Sequence, residues 1–229
     1  MAEAKVQGVV FDLQETCIGT FLNLVVPKRV SQSTNETPTY SINAEIDAGS
    51  KELTRLRAAI GEAAKELFPG LDLGTAIKSG DFIVPLVSGD LLADKAKQKS
   101  QATGKERLRE WSRGKFVLTA RSKEDYPPAL TIVQGGKVIA LEGIDAKRAA
   151  ERANFYSGQR ILFGVRLKAY NGVGVGGKPG VKAYLEAVHS CGGGEKLFGG
   201  RDPTERFRDY IGLDSEEDPT VATTASGEW

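Results

Sequence analysis

The residues of this sequence best suited to binding chemistry are cations and tyrosines that share one face of two predicted strands, 158–171 and 181–190. On both strands apolar side chains occupy the alternate positions, which is the pattern of a half-buried strand. Lysine and arginine attract phosphates, and aromatic rings stack on bases of any identity. This face therefore favours binding of a single-stranded nucleic acid. Its members are Arg160, Arg166, Lys168, Tyr170, Lys182 and Tyr184.

A third predicted strand, 115–121, adds two cations, Lys115 and Arg121, to the same set. The alternative to a binding face is an ordinary solvated sheet face, since exposed strands often carry lysine and arginine. The residues alone leave both interpretations open.

The elements that must position these residues are mostly strands. The pattern predicts strands over 20–26 and 38–46, a hairpin over 129–134 and 137–141, and a glycine-rich turn over 172–180. Helices are predicted from Ser50 to Pro69 and over 145–154. Many strands with two modest helices indicate a barrel or a sandwich rather than a sheet of βαβ units.

The stretch 88–110 differs from its surroundings because it is polar and basic. It predicts a flexible basic excursion, with a helical turn near 106–111. The alternative is a solvated surface loop. Its cations are Lys95, Lys97, Lys99, Lys105, Arg107 and Arg109.

Charge is distributed unevenly along the 229 residues, although the net charge is only +1. The last 17 residues, 213–229, carry five acids and no lysine or arginine, which leaves a net charge of +6 on 1–212. A basic body suits a polyanionic partner. The segment 213–229 is predicted to be a disordered acidic tail, and an aromatic residue at its end favours docking onto a partner. The docking candidates are Glu216, Glu217, Asp218 and Trp229.

Enzymatic motifs are lacking, so we expect no catalytic residues, no cofactor and no metal. The G-x-G-x-x-G pattern beginning at Gly172 precedes Pro179 and a strand, whereas a dinucleotide site needs a helix there. One histidine, His189, and two cysteines, Cys17 and Cys191, are too few ligands for a zinc site. A nuclease built from scattered carboxylates stays open. Two cysteines and the lack of a secretory signal or an apolar span predict the cytoplasm.

Residues 155–201 resemble a family of tailed-phage proteins. The resemblance is carried by Phe155-Tyr156-Ser157-Gly158, Lys168-Ala169-Tyr170-Asn171, the glycine-rich stretch 172–180 with Val181, and Gly199-Gly200-Arg201. This family was long described as a domain of unknown function and was later recognised as single-stranded DNA-binding proteins with an OB fold. The early strand pair, the first helix and the strand after Trp111 follow in matching order, so the resemblance spans most of 20–212.

The resemblance implies a mainly β fold with added helices, an OB-fold-like five-stranded Greek-key barrel with extensions, over residues 1–212. It implies coating of single-stranded DNA without sequence specificity during phage replication or recombination, in the cytoplasm of an infected bacterium. Candidate contacts carried over are Tyr156, Arg160, Arg166, Tyr170 and Tyr184. The stretch 88–110 departs from the family.

Several expectations go with this interpretation. The tail is expected to compete with DNA and to dock replication or recombination proteins, and a homodimer is one arrangement to test. A metal-dependent nuclease acting on phage DNA and a structural or assembly protein of the phage particle are the alternatives.

Overall fold

Nine strands, four α-helices and a 3₁₀ turn form the part of the chain that the computed structural model describes, residues 7–29, 37–103, 109–172 and 177–197. The strands are β1 (Val9–Asp12), β2 (Cys17–Lys28), β3 (Thr39–Asp47), β4 (Leu86–Ser88), β5 (Lys115–Lys123), β6 (Ala129–Gln134), β7 (Lys137–Ala140), β8 (Gln159–Tyr170) and β9 (Gly180–Gly194). The helices are α1 (Lys51–Leu67), α2 (Leu73–Lys78), α3 (Gly89–Thr103) and α4 (Ile144–Asn154), and the 3₁₀ turn is Glu110–Ser112.

Five of these strands close into a barrel in the order β2-β3-β5-β9-β8, with β8 pairing back onto β2. The β5–β9 pair is parallel and the other four pairs are antiparallel. This is the five-stranded Greek-key barrel of the OB fold. The predicted fold class is confirmed.

The core lies inside the barrel, where the inward positions of alternating strands meet. On β8, Ile161, Val165 and Leu167 are fully buried, as their alternation with cations predicts. Helix α1 packs against β1 and β8. Its apolar stripe is buried, and the Ser50 hydroxyl accepts a hydrogen bond from the Leu53 amide at 3.2 Å, which caps the helix as predicted.

The remaining strands extend the barrel. β1 pairs with β8, β4 pairs with β5, and the β6–β7 hairpin joins β9 through β6. All described residues belong to one compact unit, and residues 198–229 lie outside the described residues. The domain limit at residue 212 and the tail therefore stay predictions. None of the described helices combines the length and apolar character needed to cross a bilayer.

The sequence predicted a flexible basic excursion over 88–110, but most of the described part of this stretch is helix α3. Lysine, glutamine and alanine are good helix formers, and the polar character of the stretch as a whole was misleading. Buried and half-buried positions recur with helical spacing along one side, with Ala93 only 1% exposed. Arg113 bridges to Asp94 at 3.0 Å and holds the helix beside the 3₁₀ turn. Residues 104–108 lie outside the described residues.

Candidate nucleic-acid interface

A row of paired residues crosses all five barrel strands on the outer face. Asn23 of β2 pairs with Ser41 of β3, which pairs with Arg121 of β5. Arg121 pairs with Tyr184 of β9, which pairs with Arg166 of β8. Because adjacent strands lie about 4.8 Å apart, the row is roughly 19 Å long. Directly paired residues point to the same face, so these side chains form one continuous surface.

Two clefts lie along this row and meet at Thr119 and Arg121, which line both. We call the two clefts together the groove. The first, of about 430 Å³, includes Thr39, Ile83, Pro85, Lys123, Tyr170, Lys182 and Tyr184 in its walls. The second, of about 260 Å³, includes Phe21, Asn23, Lys28, Arg29, Ser41 and Asn43.

The first cleft holds two of the three tyrosines predicted from the sequence as contacts, Tyr170 and Tyr184. The Lys182 ammonium lies 4.7 Å from the centre of the Tyr170 ring, and Tyr184 is 38% exposed. Burial, with a smaller effect of Tyr184, raises the pKa of Tyr170, so its phenol is neutral at physiological pH. Two exposed or half-exposed rings beside a cation are suited to stacking on bases while the cation meets a phosphate.

Like charges face each other next to this cleft. Lys168 of β8 pairs directly with Lys182 of β9, and neither makes an ion pair with another described residue. Like charges directly opposite on neighbouring strands are destabilising. An anion bound between the two lysines would relieve this repulsion, which makes the position favourable for a phosphate.

The centre of the groove has a hydrogen-bonded polar floor. The Thr119 hydroxyl donates to the Asn43 side-chain oxygen at 3.0 Å, and the Asn23 amide donates to the Ser41 hydroxyl at 3.1 Å. These contacts join β2 to β3 and β3 to β5, and they fix the side chains around Arg121.

Arg166, at the β8 end of the row, is already paired. Its Nε donates to Glu186 Oε1 at 2.6 Å, and both side chains are more than a third exposed. Exposed pairs of this kind contribute little to stability. A phosphate can therefore compete with Glu186 for Arg166.

Lys115 lies at the other end of the outer face and is held by a buried acid. Its ammonium is 3.6 Å from Glu45 Oε2, and the Glu45 side chain is fully buried. Ser112, in the 3₁₀ turn, donates to Glu45 Oε1 at 2.8 Å. The turn thus covers this end of the face, and Lys115 does not line the groove.

Arg160 and Tyr156 also lie away from the groove. Arg160 borders a pocket of about 420 Å³ whose walls include several carboxylates, an environment that repels phosphate. The Tyr156 hydroxyl donates to the carbonyls of Gly193 and Gly194 at 3.2 and 3.3 Å, and the Lys196 ammonium is 5.4 Å from its ring centre. The acids of the Arg160 pocket are Glu15, Glu45, Asp47 and Glu52.

The structure thus brings together four of the nine predicted contacts in the groove, Arg121, Tyr170, Lys182 and Tyr184. The predicted docking residues Glu216, Glu217, Asp218 and Trp229 lie outside the described residues. Within the described ranges there is no group of three His, Cys, Asp or Glu side chains that could hold a metal.

Sequence reasoning missed the second cleft. Ser41, Asn43 and Thr119 occupy the outward positions of predicted strands, so their alternation was a usable signal once a barrel was assumed. In OB folds the face of the second and third strands, here β3 and β5, is a common site for oligonucleotides.

Comparisons with known proteins agree with this topology. No family model matches the chain, and no curated protein matches its sequence. Solved structures do match. The single-stranded DNA-binding protein from bacteriophage Enc34 is 17% identical with a TM-score of 0.56, and the match covers 87% of this chain and 90% of that one. The chain has the fold of a phage single-stranded DNA-binding protein.

Two further structures have the same fold. The Enc34 protein in complex with single-stranded DNA is 15% identical with a TM-score of 0.57, and the match covers 82% of this chain and 89% of that one. The single-stranded DNA-binding protein gp2.5 encoded by bacteriophage T7 is 11% identical with a TM-score of 0.50, and the match covers 95% and 100%. The relationship expected from residues 155–201 is confirmed at the level of the fold.

Proposed function

We propose that the protein binds single-stranded DNA along the groove and coats it without sequence specificity. The observation that carries this proposal is the row of paired residues from β2 to β8. In this row Arg121 lies between the first cleft, which holds Tyr170 and Tyr184, and the second cleft, which is polar. One of the structures that shares the fold holds single-stranded DNA, which supports the same choice of ligand.

Single strands suit this groove better than duplexes do. Tyr184 offers an exposed ring on the outer face of the barrel, whereas a duplex hides the faces of its bases inside the stack. Stacking tolerates any base, because every base has a π-face. The same rings therefore support binding without sequence preference.

The proposed contacts form a shorter set than the sequence predicted. Arg121, Tyr170, Lys182 and Tyr184 line the groove, and Lys168 and Arg166 flank it through their pairing with β9. Lys115, Arg160 and Tyr156 stay predictions from the sequence, and we leave them out of the proposed contact set because their partners lie elsewhere.

The biological role we propose is protection of single strands during phage DNA replication or recombination, without a catalytic step. The homodimer stays a prediction. A metal-dependent nuclease is the main alternative, and it differs from the binder by requiring magnesium and consuming the DNA.

For the tail we propose competition with DNA and docking of replication or recombination proteins. Its carboxylates resemble phosphates in charge, and tethering gives them an effective concentration in the millimolar range. Partners would then bind the tail better after DNA has displaced it. The support is the composition of 213–229, with five acids and a terminal tryptophan.

The test is fluorescence anisotropy with a labelled oligo(dT), in EDTA and in magnesium, followed by electrophoresis of the DNA. We expect saturable binding in both buffers, intact DNA and much weaker binding of a duplex of equal length. Lys182→Ala should weaken binding, whereas Lys137→Ala, on the exposed edge strand β7, should not. Cleavage of the DNA that depends on magnesium would favour the nuclease. An equal loss of affinity in both variants would contradict binding of DNA in the groove.

A further inference from the structure

The pairing of β2 with β3 is interrupted beside the groove. Thr20 pairs with Asn43 and Asn23 pairs with Ser41, so Phe21 and Leu22 together face a single residue of β3. This is a β-bulge. Phe21 has a φ of 51°, which is the left-handed region that favours glycine. It is the only residue other than glycine with a positive φ among those the structure describes.

Side chains fix this unfavourable backbone from both sides. The Phe21 amide donates to the Ser157 hydroxyl at 2.9 Å, and the Phe21 carbonyl accepts from the Asn23 side chain at 3.4 Å. Ser157 belongs to the turn before β8 and Asn23 belongs to β2 itself, so one contact from a neighbouring segment and one local contact hold the bulge in place. Backbone strain that is maintained in this way is typical of functional sites.

The bulge also decides which side chain faces out. Regular alternation after Thr20 would turn Phe21 toward the core and Leu22 toward solvent. Instead Leu22 packs against the core, and Phe21 is 42% exposed and lines the second cleft. The strained conformation therefore presents an aromatic ring at the β2 end of the groove.

A cation lies against this ring. The Arg109 guanidinium is 4.9 Å from the ring centre of Phe21, within the range of a cation–π contact. The arrangement resembles the other end of the groove, where Lys182 lies over Tyr170. An aromatic ring with an adjacent cation thus occurs on each side of Arg121.

We infer that Phe21 is a second base-stacking platform, so that a single strand is held by aromatic rings at both ends of the groove and by Arg121 between them. This inference rests on the proposed function. Measured along the curved sheet, the path from β9 to β2 covers three strand spacings, about 14 Å. A glycine would fit the bulge without strain, whereas a phenyl ring supplies a surface on which a base can stack.

The experiment compares Phe21→Gly and Phe21→Tyr with the unmodified full chain, using oligo(dT) and an abasic oligomer of equal length. Phe21→Gly should weaken oligo(dT) binding about 5- to 140-fold, the equivalent of about 1–3 kcal/mol per stacked base. Phe21→Tyr keeps a ring and should stay within about threefold. Binding of the abasic oligomer should not change, because it offers no base to stack.

Thermal unfolding of each variant verifies the fold, and Phe21→Leu serves as a second ring-free variant that keeps apolar bulk in the bulge. The inference about Phe21 is wrong, and the proposed function stands, if three results occur together. The unmodified protein binds oligo(dT), Tyr184→Ala weakens this binding, and both ring-free variants bind oligo(dT) as tightly as the unmodified protein. Equal losses for oligo(dT) and the abasic oligomer would also overturn stacking. No binding of oligo(dT) by the unmodified protein would instead contradict the proposed function.

Discussion

Replacing Arg121 with glutamine removes the cation at the centre of the groove and keeps a shorter, uncharged polar side chain. Six cations in or beside the groove make no ion pair with another described residue: Lys28, Arg29, Arg121, Lys123, Lys168 and Lys182. On single strands each neutralised phosphate contributes about −0.7 to the slope of log K against log salt. Four to six contacts give a slope of roughly −3 to −4, and Arg121→Gln should reduce its magnitude by about 0.7.

The assay is anisotropy of a labelled oligo(dT) across about 50–300 mM salt, a range over which screening changes strongly. Lys137→Gln is the matched control, because Lys137 lies on the exposed edge strand β7 and does not line the groove. The slope of this control should equal that of the unmodified protein. An unchanged slope in Arg121→Gln, or an equal change in both variants, would refute the placement of DNA over Arg121.

Three other predictions follow from the same arrangement. Tyr170→Ala and Tyr184→Ala should each weaken oligo(dT) binding by about 1–3 kcal/mol while thermal unfolding changes little, and a large loss of stability with unchanged affinity would indicate purely structural rings. Lys115→Met should lower the free energy of unfolding by about 3 kcal/mol in denaturant titrations, because it removes the cation that forms an ion pair with the buried Glu45 carboxylate. Adding Glu45→Gln should recover part of the loss. Truncation after Gly212 should tighten DNA binding at low salt by an amount that shrinks as salt rises, and equal affinities at about 50 mM would contradict competition by the tail.

The sequence was most informative where alternation is regular. β8 and the first part of β9, up to Leu185, alternate regularly, so the buried side of the barrel and the positions of Tyr170, Lys182 and Tyr184 on its outer face could be predicted. After Leu185 the pairing with β8 shifts and the buried positions of β9 change phase. A resemblance concentrated in residues 155–201 then selected the OB barrel among the β architectures.

Lys115 shows that residues on the same outer face of a strand need not belong to the same binding site. Its outward position on β5 was predicted, but the interpretation of 88–110 as a loop concealed what covers that end of the face. The 3₁₀ turn after α3 brings Ser112 to Glu45, and Glu45 binds Lys115. Alternation tells which side of a sheet a residue faces, whereas its neighbours on that side depend on tertiary packing.

Phe21 shows a second limit of periodicity. A bulge changes the phase of the alternation, and nothing in the residue types of β2 marks its position, because the left-handed conformation is taken by phenylalanine rather than by glycine. The surroundings of Arg160 show a third limit of sequence-based prediction. The acidic residues around it come from separate elements, which only the fold brings together.

The most direct test of the central claim is photocrosslinking of the full chain to an oligonucleotide carrying 5-iodouracil, with the modified peptides identified by mass spectrometry. Binding in the groove predicts crosslinks to Tyr170, Tyr184 and Phe21, which line it. Specific crosslinks confined to surfaces outside the groove, such as the β6–β7 hairpin, would contradict the account.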